Sequence, residues 1–136
     1  MHRLKTIRVG ICCNGPVLLS HATKPEWKFV IAICNFEKFK QPNLICCKTT
    51  SKNSGILRFG EFIIDNFFNR GKSKIQPTNI CRVNDSELNG FKYIGTLDNE
   101  HMPKFEKGIK IAIKLNLFEP LEQLNILDSW EPFFII

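Results

Sequence analysis

Short runs of apolar residues, each followed by a turn signal, dominate the first two thirds of the chain. Apolar and polar residues alternate in TIRVGICC (6–13), whereas WKFVIAICNF (27–36) is apolar almost throughout. Alternation is typical of a strand with one buried face, and a continuous run is typical of a strand buried on both faces. The pattern predicts a mainly β fold, with further strands at 17–20, 44–50, 56–59, 78–84 and 91–97.

Turn signals set the predicted boundaries of these strands. Asn14-Gly15 is a strong signal for a hairpin, so residues 14–16 are predicted to reverse the chain between the first two strands. EFIIDNFFN (61–69) fits either a helical turn or a strand, and RGKSKIQP (70–77) is predicted to be a basic loop.

A helix is predicted after Asp98, which can cap it with Glu100 in the first turn. Pro103 and Gly108 weaken this interpretation, and IKIAIKL (109–115) also alternates like a strand. Length and the cap favour the helix. Its apolar stripe comprises Met102, Phe105, Ile109, Ala112, Ile113 and Leu117.

The C-terminal segment 118–136 is strongly apolar. Glu119-Pro120 can start a second helix, because proline suits the first helical turn. Five residues at the end of this segment are too apolar to remain in water: Trp130, Phe133, Phe134, Ile135 and Ile136. We therefore expect this extension to pack on the domain or on a second copy of the chain.

Composition limits the class of protein. A chain of 136 residues with 43% hydrophobic residues fits one domain with a real core. No apolar run approaches the roughly 18 residues of a membrane span, and Arg8 interrupts any signal-like run, so we expect a cytosolic protein. The net charge of +6 favours an anionic partner such as nucleic acid, although a coding bias toward lysine explains it equally well.

Six cysteines raise the possibility of thiol or metal chemistry. The spacing of common zinc sites is absent, because no Cys-x-x-Cys occurs. Neighbouring residues of a strand point to opposite faces, so neither adjacent pair can place both sulfurs on one metal. We predict that these residues fill the core as small hydrophobes, and a thiol or metal protein remains an alternative. They are Cys12, Cys13, Cys34, Cys46, Cys47 and Cys81.

Candidate chemistry concentrates where the strand 44–50 ends. The Walker, GxGxxG, GxSxG and HExxH motifs are all absent, and the three histidines are far apart in sequence. Thr50 and Ser51 follow the buried run LICC and are flanked by Lys48 and Lys52. Loops at strand ends often carry functional groups, but the same residues also make an ordinary turn.

Several segments resemble the MazF/PemK-type ribonuclease toxins. IGTLDNEHMPKFEKGIKIAIKL (94–115) resembles the strand and acidic-capped helix near the end of those proteins. LICCKTTSK (44–52) resembles their strand ending in Thr-Ser, and TKPEWKFVIAIC (23–34) resembles their basic-Pro step before a buried strand. With looser similarity in GPVLL (15–19) and PTNICRVN (77–84), the resemblance covers about residues 10–117.

The resemblance implies an α+β fold built on an SH3-like β-barrel with a terminal helix over 1–117. It also implies a homodimer and a small acidic antitoxin as partner. The implied activity is a cofactor-free, metal-independent cleavage of single-stranded RNA, in which the ribose 2′-hydroxyl attacks the adjacent phosphate. Bases could stack on Trp27, Phe59 or Phe91.

The resemblance also assigns site residues, with some departures. Thr50 matches the threonine of the family, but its arginine reads here as Lys24 and its Asp-Gln pair reads as Thr78-Asn79. Arg82 could supply the missing guanidinium. The departures leave open a changed specificity, a repositioned site, or an inactive barrel that binds nucleic acid or a partner protein. The predicted catalytic residues are Thr50, Lys24 and Arg82, and the predicted RNA-binding residues are Ser51, Lys28, Lys48, Lys52 and Asn79.

Overall fold

The computed structural model describes residues 7–18, 22–35, 43–52 and 55–130. Within these residues, the chain forms six strands, three α-helices and one 3₁₀ turn. The strands are β1 (Ile11–Val17), β2 (Glu26–Ala32), β3 (Asn43–Thr50), β4 (Phe62–Ile64), β5 (Ser73–Asn84) and β6 (Lys92–Thr96), the helices are α1 (Asp85–Leu88), α2 (Met102–Lys114) and α3 (Pro120–Ser129), and the 3₁₀ turn is Phe67–Asn69.

The strands form one sheet in the order β4-β5-β3-β2-β1-β6, and every neighbouring pair is antiparallel. The sheet curls into a half-barrel, so that its two edges approach each other. A Cβ atom on Gly95 of β6 would lie 2.5 Å from the Phe68 ring, which follows β4. Phe62 of β4 also stacks on His101, with 6.4 Å between ring centroids. The predicted class, mainly β with helices, is therefore confirmed.

Two apolar clusters lie on opposite faces of the sheet, and the cysteines are divided between them. Cys12 and Cys47 belong to the larger cluster, whereas Cys13 and Cys46 belong to the smaller one. All six cysteines lie within the described residues, are buried and form no disulfide bond, as the core-filling prediction requires. Burial raises the pKa of the Cys34 thiol to about 12 and that of Cys46 well above its ordinary value, so thiolate chemistry is strongly disfavoured.

Helix α2 covers the larger cluster with its predicted apolar stripe. Phe105, Ile109 and Ala112 are fully buried there. Gly108 lets the helix approach β5 closely, because a Cβ atom at that position would lie 2.4 Å from Pro77. The predicted cap is wrong: the helix begins after His101, which makes no side-chain cap, and no acidic residue lies in the first turn.

Helix α3 begins at Pro120, as predicted, and packs on the same cluster. Its first turn carries a capping box between Glu119 and Glu122. Trp130, immediately after the helix, is fully buried and its Nε1 donates a hydrogen bond to the Ile33 carbonyl at 2.6 Å. The last part of the predicted extension, residues 131–136, lies outside the described residues.

The hairpin predicted at 14–16 is wrong. Asn14 and Gly15 lie in the middle of β1, opposite Phe29 and Lys28 of β2. The glycine has a packing role, because a Cβ atom at Gly15 would lie 2.4 Å from the ring of Phe91. Packing against Phe91 therefore explains why Asn14-Gly15 lies in a strand, although the local pattern predicts a turn.

Two further boundaries differ from the prediction. Residues 56–59 form no strand, and the chain turns there before a short β4. The region 61–69 contains both alternatives, a strand followed by a 3₁₀ turn. The predicted loop 70–77 becomes strand from Ser73 onward, because β5 pairs with both β3 and β4. No helix in the described part of the chain has the length and apolar character that crossing a membrane requires.

Candidate functional site

A basic groove of about 230 Å³ lies where β2 begins and β3 ends. The segment that connects the 3₁₀ turn to β5 forms its other wall. It combines four hydroxyl groups, four cationic side chains and three aromatic rings at one edge of the curled sheet. Its lining residues are Trp27, Lys28, Phe29, Thr49, Thr50, Ser51, Lys52, Phe67, Arg70, Lys72 and Ser73.

The end of β3 positions the hydroxyls. Thr49 is buried, and its hydroxyl donates to the Phe29 carbonyl at 3.1 Å, so it joins β3 to β2. Thr50 is half-buried, and its Oγ1 accepts a hydrogen bond from the Lys52 backbone N–H at 3.1 Å. This contact fixes the turn and leaves the Thr50 proton free to be donated. Thr50 and the exposed Ser51 are therefore the hydroxyls that a ligand can reach.

The lysines of the groove keep most of their charge available. Lys28 Nζ lies 3.9 Å from Glu26, and Lys72 Nζ lies 3.9 Å from the exposed Asp65. Such long, solvent-exposed ion pairs contribute little free energy and are easily exchanged for a ligand. Lys52 is exposed beside Thr50. An anion entering the groove therefore meets several positive charges at low cost.

Arg70 is, with Lys72, one of two cationic groove residues that the sequence did not predict. Its guanidinium carbon lies 5.1 Å from the centroid of the Phe29 ring, and Nη1 donates to the Phe68 carbonyl at 2.8 Å. Phe29 meets Phe67 edge-on at 5.8 Å, so the aromatic pair under the guanidinium is fixed. Sequence reasoning treated Arg70 only as part of a basic loop. The signal in the sequence is that Arg70 directly follows two phenylalanines and Asn69, a residue type that favours turns.

The backbone before Arg70 adopts a rare conformation. Phe68 has φ 48° and Asn69 has φ 63°, both in the left-handed region. Asparagine tolerates this conformation, but for a phenylalanine it is strained, at a cost of about 1–3 kcal/mol. The packing of the Phe68 ring over Gly95 holds the residue there. The two left-handed residues directly precede Arg70, and the Arg70 guanidinium donates a hydrogen bond back to the Phe68 carbonyl at 2.8 Å.

The structure brings half of the predicted site residues together. Thr50, Ser51, Lys28 and Lys52 all line the groove. The structure places the other half elsewhere, and Arg70 and Lys72 take their place at the groove.

Three of the predicted residues, Lys24, Lys48 and Asn79, lie away from the groove at three different places. Lys24 is exposed in the turn before β2 and is not a lining residue. Lys48 lines a separate cavity of about 260 Å³. Asn79 lies in a bulge of β5 at 77–79, where its amide donates to Gln76 at 3.2 Å.

Arg82 is paired elsewhere. Its Nε and Nη2 donate to the two carboxylate oxygens of Glu122 at 2.6 and 2.7 Å, and Nη2 also reaches the Leu117 carbonyl. The hydrogen bonds from Arg82 lower the pKa of Glu122, and the same contact raises the pKa of Arg82. Arg82 lies opposite Ile45, five strand residues or about 17 Å from Thr50. It joins β5 to α3 and does not reach the groove.

The described lining of the groove contains no carboxylate and no imidazole. A phosphate can be held by the cations and the hydroxyls, and a base can stack on Trp27, which is 61% exposed. A built-in proton acceptor with a pKa near neutrality is missing from this set. The groove therefore has a strong anion-binding character and a weak general-base character.

Metal chemistry finds little support in the described residues. One group there, Asp98, Glu100 and His101, brings possible ligand atoms within 4.8 Å of one another. Both carboxylates are exposed, and the group lies between β6 and α2. The cysteines form no comparable group among the described residues, and burial disfavours their thiolates.

No protein family model matches this chain, and no curated protein matches it significantly.

Proposed function

We propose that this chain binds single-stranded RNA in the basic groove and cleaves it without a metal, as the toxin of a type II toxin–antitoxin pair. The observation that carries the proposal is the convergence of Thr50, Ser51 and Arg70 with three lysines and exposed aromatic surface. The sequence resemblance to MazF/PemK-type toxins supplies the reaction class. The curled antiparallel sheet with α2 on one face is compatible with the SH3-like barrel that this resemblance implies.

The groove suits single-stranded RNA better than a duplex. Single-strand binders combine cations that follow the backbone with aromatic rings that stack on bases. Here Lys28, Lys52 and Lys72 would neutralise phosphates, and Trp27 would stack on a base. A volume of about 230 Å³ accommodates roughly one nucleotide, so the groove would hold the scissile phosphate and one neighbouring base.

In the proposed reaction the ribose 2′-oxygen attacks the adjacent phosphorus, and the bond from phosphorus to the 5′-oxygen breaks. The products are a 2′,3′-cyclic phosphate and a 5′-hydroxyl. Arg70 and the lysines would stabilise the negative charge of the phosphorane, and a lysine ammonium would protonate the departing 5′-oxygen. Thr50 would donate its proton in a hydrogen bond to a phosphate oxygen while it accepts from the Lys52 N–H.

The proton of the 2′-hydroxyl would leave to water, because the described lining offers no carboxylate or imidazole. Specific-base catalysis of this kind predicts a cleavage rate that rises about tenfold per pH unit until lysines deprotonate. The same observation favours a second candidate function: an inactive relative that binds RNA and leaves it intact.

A defined single-stranded RNA, labelled at one end and incubated with EDTA, tests both candidates. We expect the wild type to leave a cyclic phosphate end and Thr50→Ala to cleave at least ten times more slowly. Thr23→Ala is the matched control, since Thr23 is exposed and lies outside the groove lining. Binding without cleavage would select the second candidate, and the absence of RNA binding would defeat both.

The toxin assignment has its own test. We expect expression of the wild type to stop bacterial growth, Thr50→Ala to permit it, and co-expression of the small acidic antitoxin that the resemblance implies to restore it. The proposed homodimer is checked by light scattering on the purified chain. Growth that is unaffected by an RNA-cleaving wild type would remove the toxin role while keeping the ribonuclease.

A further inference from the structure

A second cavity, larger than the basic groove, lies between β1, β6 and α1. Its volume is about 560 Å³, against about 230 Å³ for the groove. Sites for small molecules typically have volumes of about 300–1,000 Å³ and mostly apolar walls. We call it the β1–β6 cavity. Its apolar wall is formed by Ile7, Ile11, Cys13, Leu88 and Phe91.

This wall belongs to the smaller of the two apolar clusters. Ile7, Cys13, Leu88 and Phe91 are buried members of that cluster, and Ile11 packs against it. Within the described residues, α1 is the helix that contributes to the smaller cluster, whereas α2 and α3 contribute to the larger one. The long helices therefore leave this face of the sheet with room for a ligand.

The wall of the cavity is held in place by the fold. The Phe91 ring lies so close to β1 that a Cβ atom on Gly15 would be 2.4 Å from it. Helix α1 begins with a capping box between Asn84 and Glu87, and the Phe91 N–H donates to the Leu88 carbonyl at 3.0 Å. A preformed wall of this kind costs a ligand little conformational entropy on binding.

The mouth of the cavity is positively charged. Lys92 and Tyr93 complete the lining, and both are exposed, so the cavity opens to solvent beside them. Arg8 is exposed too, and its Nη1 donates to the Ile7 carbonyl at 3.2 Å, which places a second cation beside the wall. The carboxylate of Glu87 turns back to the Asn84 N–H at 3.0 Å, and none of the described lining residues is acidic.

An apolar interior with cations at its mouth is complementary to an alkyl chain that carries an anionic head. We propose that the β1–β6 cavity binds a single-chain fatty acid. The alkyl chain would pack on Ile11, Leu88 and Phe91, and the carboxylate would face Lys92. The inference does not depend on RNA binding or cleavage.

Two other occupants fit this cavity less well. RNA needs phosphate contacts along its backbone, whereas the wall of the cavity offers it apolar side chains. A two-fold contact with a second copy, centred here, would place two concave surfaces and two copies of Lys92 against each other.

Isothermal titration calorimetry of the 136-residue chain with dodecanoate, below the concentration at which it forms micelles, tests the proposal. We expect saturable binding of one dodecanoate per chain. Octanoate has the same head and four fewer methylenes, and each methylene removed from water improves affinity about fourfold. Octanoate should therefore bind at least tenfold more weakly. Dodecyltrimethylammonium, with the same chain and a cationic head, should also bind at least tenfold more weakly.

Two pairs of variants locate the site. Ile11→Trp fills the cavity from its wall, and we expect it to bind dodecanoate at least tenfold more weakly than the wild type does. Ile63→Trp is the matched control, because Ile63 is also half-buried but lies in β4 outside the lining. Lys92→Met should weaken binding about threefold, whereas Lys107→Met, which removes an exposed lysine of α2, should leave it unchanged.

A measurement on the wild type keeps the test independent of how well the variants fold. In methyl NMR spectra, dodecanoate should shift the signals of Ile11 and Leu88 and leave that of Ile63 in place. Absence of saturable binding, or equal binding by the wild type and a folded Ile11→Trp, would overturn the proposal. Binding to phosphatidylglycerol vesicles without binding to dodecanoate would identify a membrane surface instead. An Ile11→Trp that turns a wild-type dimer into a monomer would identify a self-contact.

Discussion

Two arginines near opposite ends of β5 show how differently the same residue type can be used. Arg82 gives two short hydrogen bonds to the Glu122 carboxylate and a third to a backbone carbonyl. Arg70 lies over the Phe29 ring and donates to one backbone carbonyl. The charge of the first is neutralised within the protein, whereas the charge of the second remains available at the groove.

This difference decides which arginine can act on a ligand. Removing Arg82 from Glu122 would leave a carboxylate that is only 11% exposed without its partner. The charge of Arg70 is not neutralised by the Phe29 ring, because an aromatic ring stabilises a cation without carrying an opposite charge. The partners of a charged residue, rather than its distance in sequence from a motif, indicate whether it belongs to a binding site.

The largest expected effect comes from breaking the structural pair. Arg82→Ala should lower the free energy of unfolding by about 2 kcal/mol, less than for a fully buried pair because part of the Arg82 side chain is exposed. RNA affinity should not change. Urea unfolding and RNA binding on the same sample check both statements. Glu122→Ala and the double variant complete a double-mutant cycle, and a coupling energy near zero would contradict the pair.

Arg70→Ala should have the complementary effect. We expect RNA affinity to fall about tenfold, or 1.4 kcal/mol, and the salt dependence to lose one phosphate contact, a change of about 0.7 in slope. Stability should change by less than about 1 kcal/mol, since one hydrogen bond and one cation–π contact are lost. Arg70→Lys should recover only part of the affinity, because lysine lacks the planar fork. Unchanged RNA binding in both variants would remove Arg70 from the groove's function.

The pH dependence of unfolding should distinguish the structural role of Arg82 from the binding role of Arg70. The pKa of Glu122 is lowered in the folded protein by its hydrogen bonds with Arg82, so its contribution to stability is complete above its ordinary pKa of 4.5. That contribution is lost as the pH falls through the lowered value. Glu122→Gln should therefore unfold with a flatter pH dependence below pH 4.5, whereas Arg70→Ala should keep the wild-type curve. Parallel curves for wild type and Glu122→Gln would refute this assignment.

The smallest expected effect distinguishes two lysines that the sequence analysis treated alike. Lys28 lines the groove, and Lys48 lines a separate cavity. Lys28→Ala should weaken RNA binding about threefold, because one lysine–phosphate contact in water is worth a fraction of a kcal/mol. Lys48→Ala should leave RNA binding unchanged, as filter binding at low salt would show. A stronger effect at Lys48 would move the RNA path away from the groove.

Local periodicity predicted much of the fold. The strand at 44–50 and the stripe of α2 follow from apolar spacing alone, and Pro120 marks the start of α3. The failures have non-local causes. Asn14-Gly15 stays extended because Phe91 occupies the space above the glycine, and residues 73–77 become strand because two neighbours pair with them. A short sequence window contains neither partner.

Half of the predicted site residues line the groove, and non-local contacts again explain what the sequence did not predict. Thr50 and Lys52 lie at one strand end, and Lys28 lies at the start of the adjacent strand, so adjacent positions in the sheet unite them. Arg70 reaches the groove through a left-handed turn that the Phe68 ring holds against a distant glycine. That turn depends on the closure of the sheet edges, which apolar spacing does not encode.

The division of the cysteines between the two faces of the sheet provides a built-in reporter of structural opening. Thiol reagents attack the thiolate and need access to the sulfur. In the folded chain Cys12, Cys46 and Cys47 are buried, and burial also raises the pKa of their thiols, so neither condition is met. Alkylation of these residues therefore has to wait for the sheet to open on one side or the other. Mass spectrometry of partly alkylated protein would record the opening rate of each face separately, with no label added to the chain.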